Sequence, residues 1–249
     1  WQNRGGGGPA VGVIRIPPGV TTLVNPACGP AGQQLIGPFA GLPGGRPAQV
    51  LIHVVSACGQ QDAEIEIETA PNRWTPVRER LGGVLGPRND PPHVGSWYVV
   101  AVPNNRHIRL SCPQGDGQLC SFEVTDITKQ ANLTFSITGG DNNPGCGGVH
   151  GTSRLLNLSE RLVNVTVTFT AVCTNNAGQP QPVNIHFIAV KPPAVPGAPA
   201  LPPLPDAVVN PAAPPGPTRW AGPLNAGYAI EVSCTGTKGN CTFTVQMSG

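Results

Sequence analysis

Eight cysteines fall into two sets of four with nearly the same internal spacing, and no other feature of the sequence constrains the fold as much. Cys28, Cys58, Cys112 and Cys120 are separated by 30, 54 and 8 residues, and Cys146, Cys173, Cys234 and Cys241 by 27, 61 and 7. The flanking sequence repeats as well. Ile108-Arg-Leu-Ser-Cys112, a polar loop and Cys120-Ser-Phe-Glu-Val124 match Ile230-Glu-Val-Ser-Cys234, a shorter loop and Cys241-Thr-Phe-Thr-Val245. Two alternating runs around a glycine-containing turn predict a β-hairpin, here with a cysteine at each mouth. Internal similarity at a period of about 120 residues implies a repeated domain rather than a solenoid turn.

The rest of the chain extends the match. Ala48 to Cys58 aligns with Val163 to Cys173, each eleven residues ending in cysteine. In the second copy Val163, Val165, Val167 and Phe169 alternate with Asn164, Thr166, Thr168 and Thr170, which predicts one buried and one wet face. The first copy is apolar on both faces, as expected of a strand that is central or covered by a partner. Residues 11–16 pair in the alignment with 132–137, and Trp97 with Trp220. No segment shows a helical period. The expected fold is all-β: two tandem, disulfide-stapled β-sandwich (Ig-like) repeats. A flexible arm at 1–10 precedes repeat 1 at 11–128, with an insert at 71–95. Repeat 2 occupies 129–249 and carries an insert at 191–217 with eleven prolines. Gly and Pro total 63 residues, which suits a chain of many turns. The spacing favours local bridges, Cys28–Cys58, Cys112–Cys120, Cys146–Cys173 and Cys234–Cys241, among three connectivities per repeat.

An even cysteine count points to an oxidising, extracellular or cell-surface location. No Cys-x-x-Cys pair supports zinc, and no metal or cofactor is expected. Charged residues are only 11% and the net charge is +2, so nothing favours nucleic acid as a partner. No apolar run is long enough to span a membrane. The opening residues, Trp1-Gln-Asn-Arg and four glycines, lack a signal-peptide core. The five histidines show no metal-binding spacing, no Gly-x-Ser-x-Gly elbow occurs, and no enzymatic activity is expected.

Three groups of residues carry the expectations about interaction. Val11, Val13, Ile14 and Ile16 form a first strand that could complete a neighbour's sheet edge. Asp62, Glu64, Glu66 and Glu68 occupy alternate positions of one strand, a carboxylate stripe that is either a solvated face or a dock for Arg73, Arg78, Arg80 and Arg88 of this or another chain. Trp74 could join them as an apolar platform. Asn132, Asn157, Asn164 and Asn240 head glycosylation sequons, so a glycan is a further expectation. The sequence thus reads as a non-enzymatic extracellular structural subunit of a filament, sheath or matrix that self-associates through sandwich contacts. The alternative is a monomeric secreted or cell-surface module binding carbohydrate or a receptor through loop tips and Trp74, Trp97 or Trp220.

Overall fold

The computed structural model describes residues 12–29, 31–58, 63–81, 88–90, 92, 94–113, 120–129, 135–137, 146, 154–159, 161–190, 201–211 and 218–248. The arm at 1–10, Val11, Asp62 and Asn132 lie outside these residues.

Among the described residues all regular structure is β. The first half contributes β1 (Val13–Ile14), β2 (Thr22–Val24), β3 (Gln34–Phe39), β4 (Ala48–Ser56), β5 (Glu64–Ala70), β6 (Arg73–Pro76), β7 (Glu79–Leu81), β8 (Arg88–Asp90), β9 (Trp97–Val102), β10 (Arg106–Ser111) and β11 (Ser121–Asp126). The second contributes β12 (Phe135–Ile137), β13 (Leu155–Asn157), β14 (Val163–Ala171), β15 (Val183–Ala189), β16 (Ala207–Val209), β17 (Thr218–Leu224), β18 (Tyr228–Cys234) and β19 (Thr242–Ser248).

Each half pairs its strands in the same order. The first has β2-β11-β4-β9 facing β3-β10-β5-β6, and the second has β12-β19-β14-β17 facing β13-β18-β15-β16. The halves are not separate beads. Strand β9 of the first pairs in parallel with β13 of the second, Trp97 opposite Leu155 and Val99 opposite Asn157. One eight-stranded sheet therefore runs through the molecule in the order β16-β15-β18-β13-β9-β4-β11-β2. The five-stranded sheet β1-β3-β10-β5-β6 covers one face at one end. The four-stranded sheet β12-β19-β14-β17 covers the opposite face at the other end.

Strand periodicity explains this stagger. Val50, Ile52 and Val54 of β4 belong to the core under the five-stranded sheet, while Leu51 between them belongs to the second half's core. Likewise Tyr98 and Val100 face one core and Trp97 and Val99 the other. Leu156 and Ala229 cross the other way, from second-half strands into the first-half core. The both-faced apolar character of β4 is thus the mark of a central strand covered on two sides. In β14, Val163, Val165, Val167 and Phe169 are buried and Asn164 and Thr170 exposed, as alternation predicts.

Three sequence expectations are corrected. The cysteine-bracketed hairpins are not hairpins: β10 lies in the five-stranded sheet and β11 in the eight-stranded one, while β18 and β19 are split in the same manner. Each short loop is an arch across the sandwich, and its disulfide ties two layers. Next, β1 is not the partner of β12. Strand β1 pairs in parallel with β3, whereas β12 pairs antiparallel with β19 and corresponds to β2. Finally, the insert at 71–95 is not wholly irregular. Its β6 extends the five-stranded sheet, and β7 pairs with β8 in a ribbon beside β15.

The disulfides are Cys28–Cys58, Cys112–Cys120, Cys146–Cys173 and Cys234–Cys241, the local pairing, and no cysteine is free.

Candidate interaction surfaces

The carboxylate stripe lies on the outer face of the five-stranded sheet. Alternation along β5 turns Glu64, Glu66 and Glu68 outward while Ile65 enters the core. The neighbouring β10 supplies cations in register, with Arg109 directly opposite Glu66. Arg109 Nε donates to Glu66 Oε2 at 2.6 Å, His107 Nδ1 lies 2.8 Å from Glu68 Oε2, and Arg78 Nη2 lies 3.8 Å from Glu64. Trp74, opposite Glu68 on β6, carries the Arg109 guanidinium 4.5 Å above its ring centroid. The face is therefore neutralised from within. Of the arginines proposed from sequence, Arg78 pairs with Glu64, the Arg80 and Arg88 side chains lie outside the described residues, and His107 and Arg109 hold Glu68 and Glu66. Their role was not visible locally, because β10 reaches β5 only through a long crossover. A pair as exposed as Arg78–Glu64 stabilises by about 0.2–1 kcal/mol.

Glu68 is the most constrained of the three. Burial pushes its carboxyl pKa up, but hydrogen bonds from His107 and from the Asn72 amide, at 3.1 Å, outweigh this and hold it below the usual glutamate range. Asn72 has a left-handed backbone, φ 58°, in the tight turn joining β5 to β6, so Glu68 also fastens that turn.

The N-terminal strand is partly exposed. Val13 projects outward, Ile14 packs against the first-half core and Ile16 is buried in it. In this chain β1 completes its own sheet, Val13 opposite Leu35 and Ile14 opposite Ile36. The two ends of the eight-stranded sheet, β2 and β16, have no further strand beside them among the described residues. Both carry exposed apolar side chains: Leu23 is 58% exposed, Val20 just before β2 is 52%, and Val208 is 63%.

A hydrogen-bonded relay on the second half escaped the sequence reading. His186 Nδ1 lies 2.6 Å from Asp206 Oδ2, and its Nε2 lies 2.7 Å from Ser233 Oγ. Serine, imidazole and carboxylate in that order are the parts of an activated hydroxyl. Ser233, however, sits within β18 between β15 and β13, not on a turn that would aim successive amides at an oxyanion. What the relay does here is fasten the middle of the proline-rich insert, at Asp206, to the sheet. The Tyr228 hydroxyl, donating to the Pro202 carbonyl at 2.6 Å, does the same. Only spacings of 20 and 47 residues connect the three, too long for a motif search.

The remaining candidates sort by burial. Asn157 is 0% exposed, and its Nδ2 donates to the carbonyls of Arg161 at 2.6 Å and Leu224 at 3.0 Å. A glycan there is incompatible with the fold, which corrects that sequon. Asn164 and Asn240 are exposed. Trp97 is buried with its ring stacked on His53, 3.9 Å between centroids, and Trp220 packs on Phe187 at 5.6 Å. The sulfurs of Cys58, Cys112 and Cys120 lie within 4.8 Å of one another, but each is in a disulfide and has no thiolate to offer a metal.

No family model and no curated protein matches the chain. Among solved structures, the CUB1-EGF-CUB2 domain of human MASP-1/3 aligns over 93% of this chain and 94% of its own length, at 10% identity and a TM-score of 0.23. A likeness at that score carries no argument about topology or function. The molecule itself is a disulfide-rich all-β protein whose bridges fit an oxidising environment. Among the described residues no helix is long and apolar enough to cross a membrane.

Proposed function

We propose that the protein is a non-enzymatic extracellular structural subunit that assembles into a filament, sheath or matrix by continuing its eight-stranded sheet from one copy to the next. The observation that carries this reading is that, among the described residues, β2 and β16 at opposite ends of that sheet have no further strand beside them, each with an exposed apolar side chain. An uncovered strand edge is a template for another chain. Edge β2 of one copy against edge β16 of the next is a heterologous contact, and a heterologous contact that does not close on itself builds an open fibre. With charged residues at 11% and a net charge of +2, little repulsion opposes such packing.

Strand donation by the N-terminus is the second route. It carries a cost, since donating residues 11–16 to a neighbour withdraws Ile16 from its own core, about 1.5–3 kcal/mol of lost burial. The monomeric binding module is less favoured by the tryptophans it would use, because Trp74, Trp97 and Trp220 each have another side chain of this chain packed on the ring.

Negative-stain electron microscopy of the oxidised full chain tests the proposal. Fibres are expected, lost on Leu23→Lys or Val208→Lys and retained when residues 1–16 are deleted. Fibres that survive both lysine variants but vanish with the deletion would replace edge continuation by strand donation. A monodisperse monomer under all conditions would refute assembly.

A further inference from the structure

The two disulfides of the first half meet at one end of its sandwich. The sulfurs of Cys58, Cys112 and Cys120 lie within 4.8 Å of one another, so the Cys28–Cys58 bridge abuts the Cys112–Cys120 bridge. Cys58, Cys112 and Cys120 are buried, and Cys28 is the partly exposed member of the four. The second-half cysteines, all of which lie among the described residues, form no such group.

The backbone sets which other pairings are within reach. Cys28 and Cys112 are partners in a parallel β-bridge, and the Gly29 amide donates to the Cys112 carbonyl at 3.0 Å. Bridged strands run roughly 4.7–4.9 Å apart, inside the roughly 4.4–6.8 Å between Cα atoms that a disulfide spans. Cys58 follows β4 and Cys120 precedes β11, at the same end of two neighbouring strands, where Ser56 stands opposite Ser121. Cys28 and Cys112 therefore belong to the layer of the five-stranded sheet, and Cys58 and Cys120 to the layer of the eight-stranded one. Each native bridge ties one layer to the other. Pairing Cys28 with Cys112 and Cys58 with Cys120 would put each bridge inside a single layer and leave this end of the sandwich unclamped.

We propose that the four cysteines are a thiol-operated clamp, in which a small thiol of the glutathione class, entering at Cys28, exchanges the two cross-layer bridges for the two within-layer ones. The incoming thiolate attacks Cys28 Sγ, forming a mixed disulfide and expelling Cys58 as the thiolate. Cys58 Sγ, already beside the arch bridge, attacks Cys120 Sγ, forms Cys58–Cys120 and expels Cys112. Cys112 then attacks Cys28 Sγ, forms Cys28–Cys112 and returns the small thiol. Every S–S bond broken is replaced by one formed, so the thiol acts catalytically and no oxidant or reductant is consumed. This inference is independent of the assembly reading.

The experiment incubates the oxidised full chain with substoichiometric reduced glutathione at mildly alkaline pH. Free thiols are then blocked with iodoacetamide, and the unfolded chain is digested and its disulfides mapped by mass spectrometry. Chymotryptic cleavage after Phe39 and Asp-N cleavage before Asp116 separate Cys28 from Cys58 and Cys112 from Cys120. Cys28–Cys112 and Cys58–Cys120 are expected to appear together, absent from a thiol-free control, while the second half keeps Cys146–Cys173 and Cys234–Cys241. Cys28→Ser leaves Cys58 as a free thiol beside the arch, and is expected to open Cys112–Cys120 with no added thiol. Cys146→Ser, the matching change, is expected to leave Cys234–Cys241 intact. If Cys28→Ser misfolds, the wild-type mapping decides alone. Native pairs only in the glutathione-treated chain, exchange to the same extent in both halves, or bridges joining first-half to second-half cysteines would each overturn the proposal.

Discussion

Leu156→Ala tests whether the two halves form one cooperative body. Leu156 is 0% exposed on second-half strand β13, yet it packs in the first-half core with Tyr98 and Val100. The change removes three carbons, about 2.4 kcal/mol at roughly 0.8 kcal/mol per methylene. The cavity left behind adds to this, so the total is about 3–4 kcal/mol, inside the 2–5 kcal/mol span of buried leucine truncations. With a urea slope of roughly 2–3 kcal/mol/M, the midpoint falls by about 1–2 M. The sharper assay is hydrogen exchange on β3 and β10, which belong to the first half and do not contain the substitution. If the core is shared, their slowest amides lose protection by roughly 100-fold, the equivalent of about 3 kcal/mol. Unchanged protection in β3 and β10, with loss confined to β13 and β18, would refute the shared core and return the molecule to two independent sandwiches.

Two further outcomes follow from particular contacts. The arch disulfides close loops of 8 and 7 residues, so replacing Cys112 and Cys120 by serine, or Cys234 and Cys241, should lower stability by a similar amount, about 2.5 kcal/mol each in the chain-entropy model; denaturation midpoints of the two variants that differ widely would show that the arches are not equivalent. Glu68 is held below the usual glutamate range, so its contribution is present above the unfolded pKa, near about 4.3, and is lost as pH falls through the depressed folded pKa. The stability gap between wild type and Glu68→Gln should therefore close as pH falls from about 5 into more acid solution; a gap that widens over that range would reverse the sign of this assignment.

What could be read from the residues was whatever lies within one strand or one short loop. Alternation in β14 and the outward carboxylates of β5 are local, and they emerged as expected. The two-faced apolar run of β4 carried more: it signalled cover on both sides, and Leu51 reaching the second-half core is the form that cover takes. Pairing across layers was opaque. Cys112 and Cys120 bracket a glycine-containing loop whether the strands beside it pair as a hairpin or part into two sheets. The difference is a rotation of the chain that residue spacing does not encode. The same limit hid Arg109 and His107 from the stripe they neutralise, and Asp206 from His186. Asn157 was misassigned for a related reason: a sequon is a three-residue pattern, while the burial that excludes a glycan is set by Arg161 and Leu224.

Sedimentation velocity of the oxidised full chain over a range of concentrations, beside Leu23→Lys, tests the central claim most directly. Assembly through the ends of the eight-stranded sheet predicts a weight-average sedimentation coefficient that climbs with concentration without reaching a closed oligomer, and a Leu23→Lys protein that stays monomeric. A single concentration-independent species, or a growing series identical in both proteins, would contradict it.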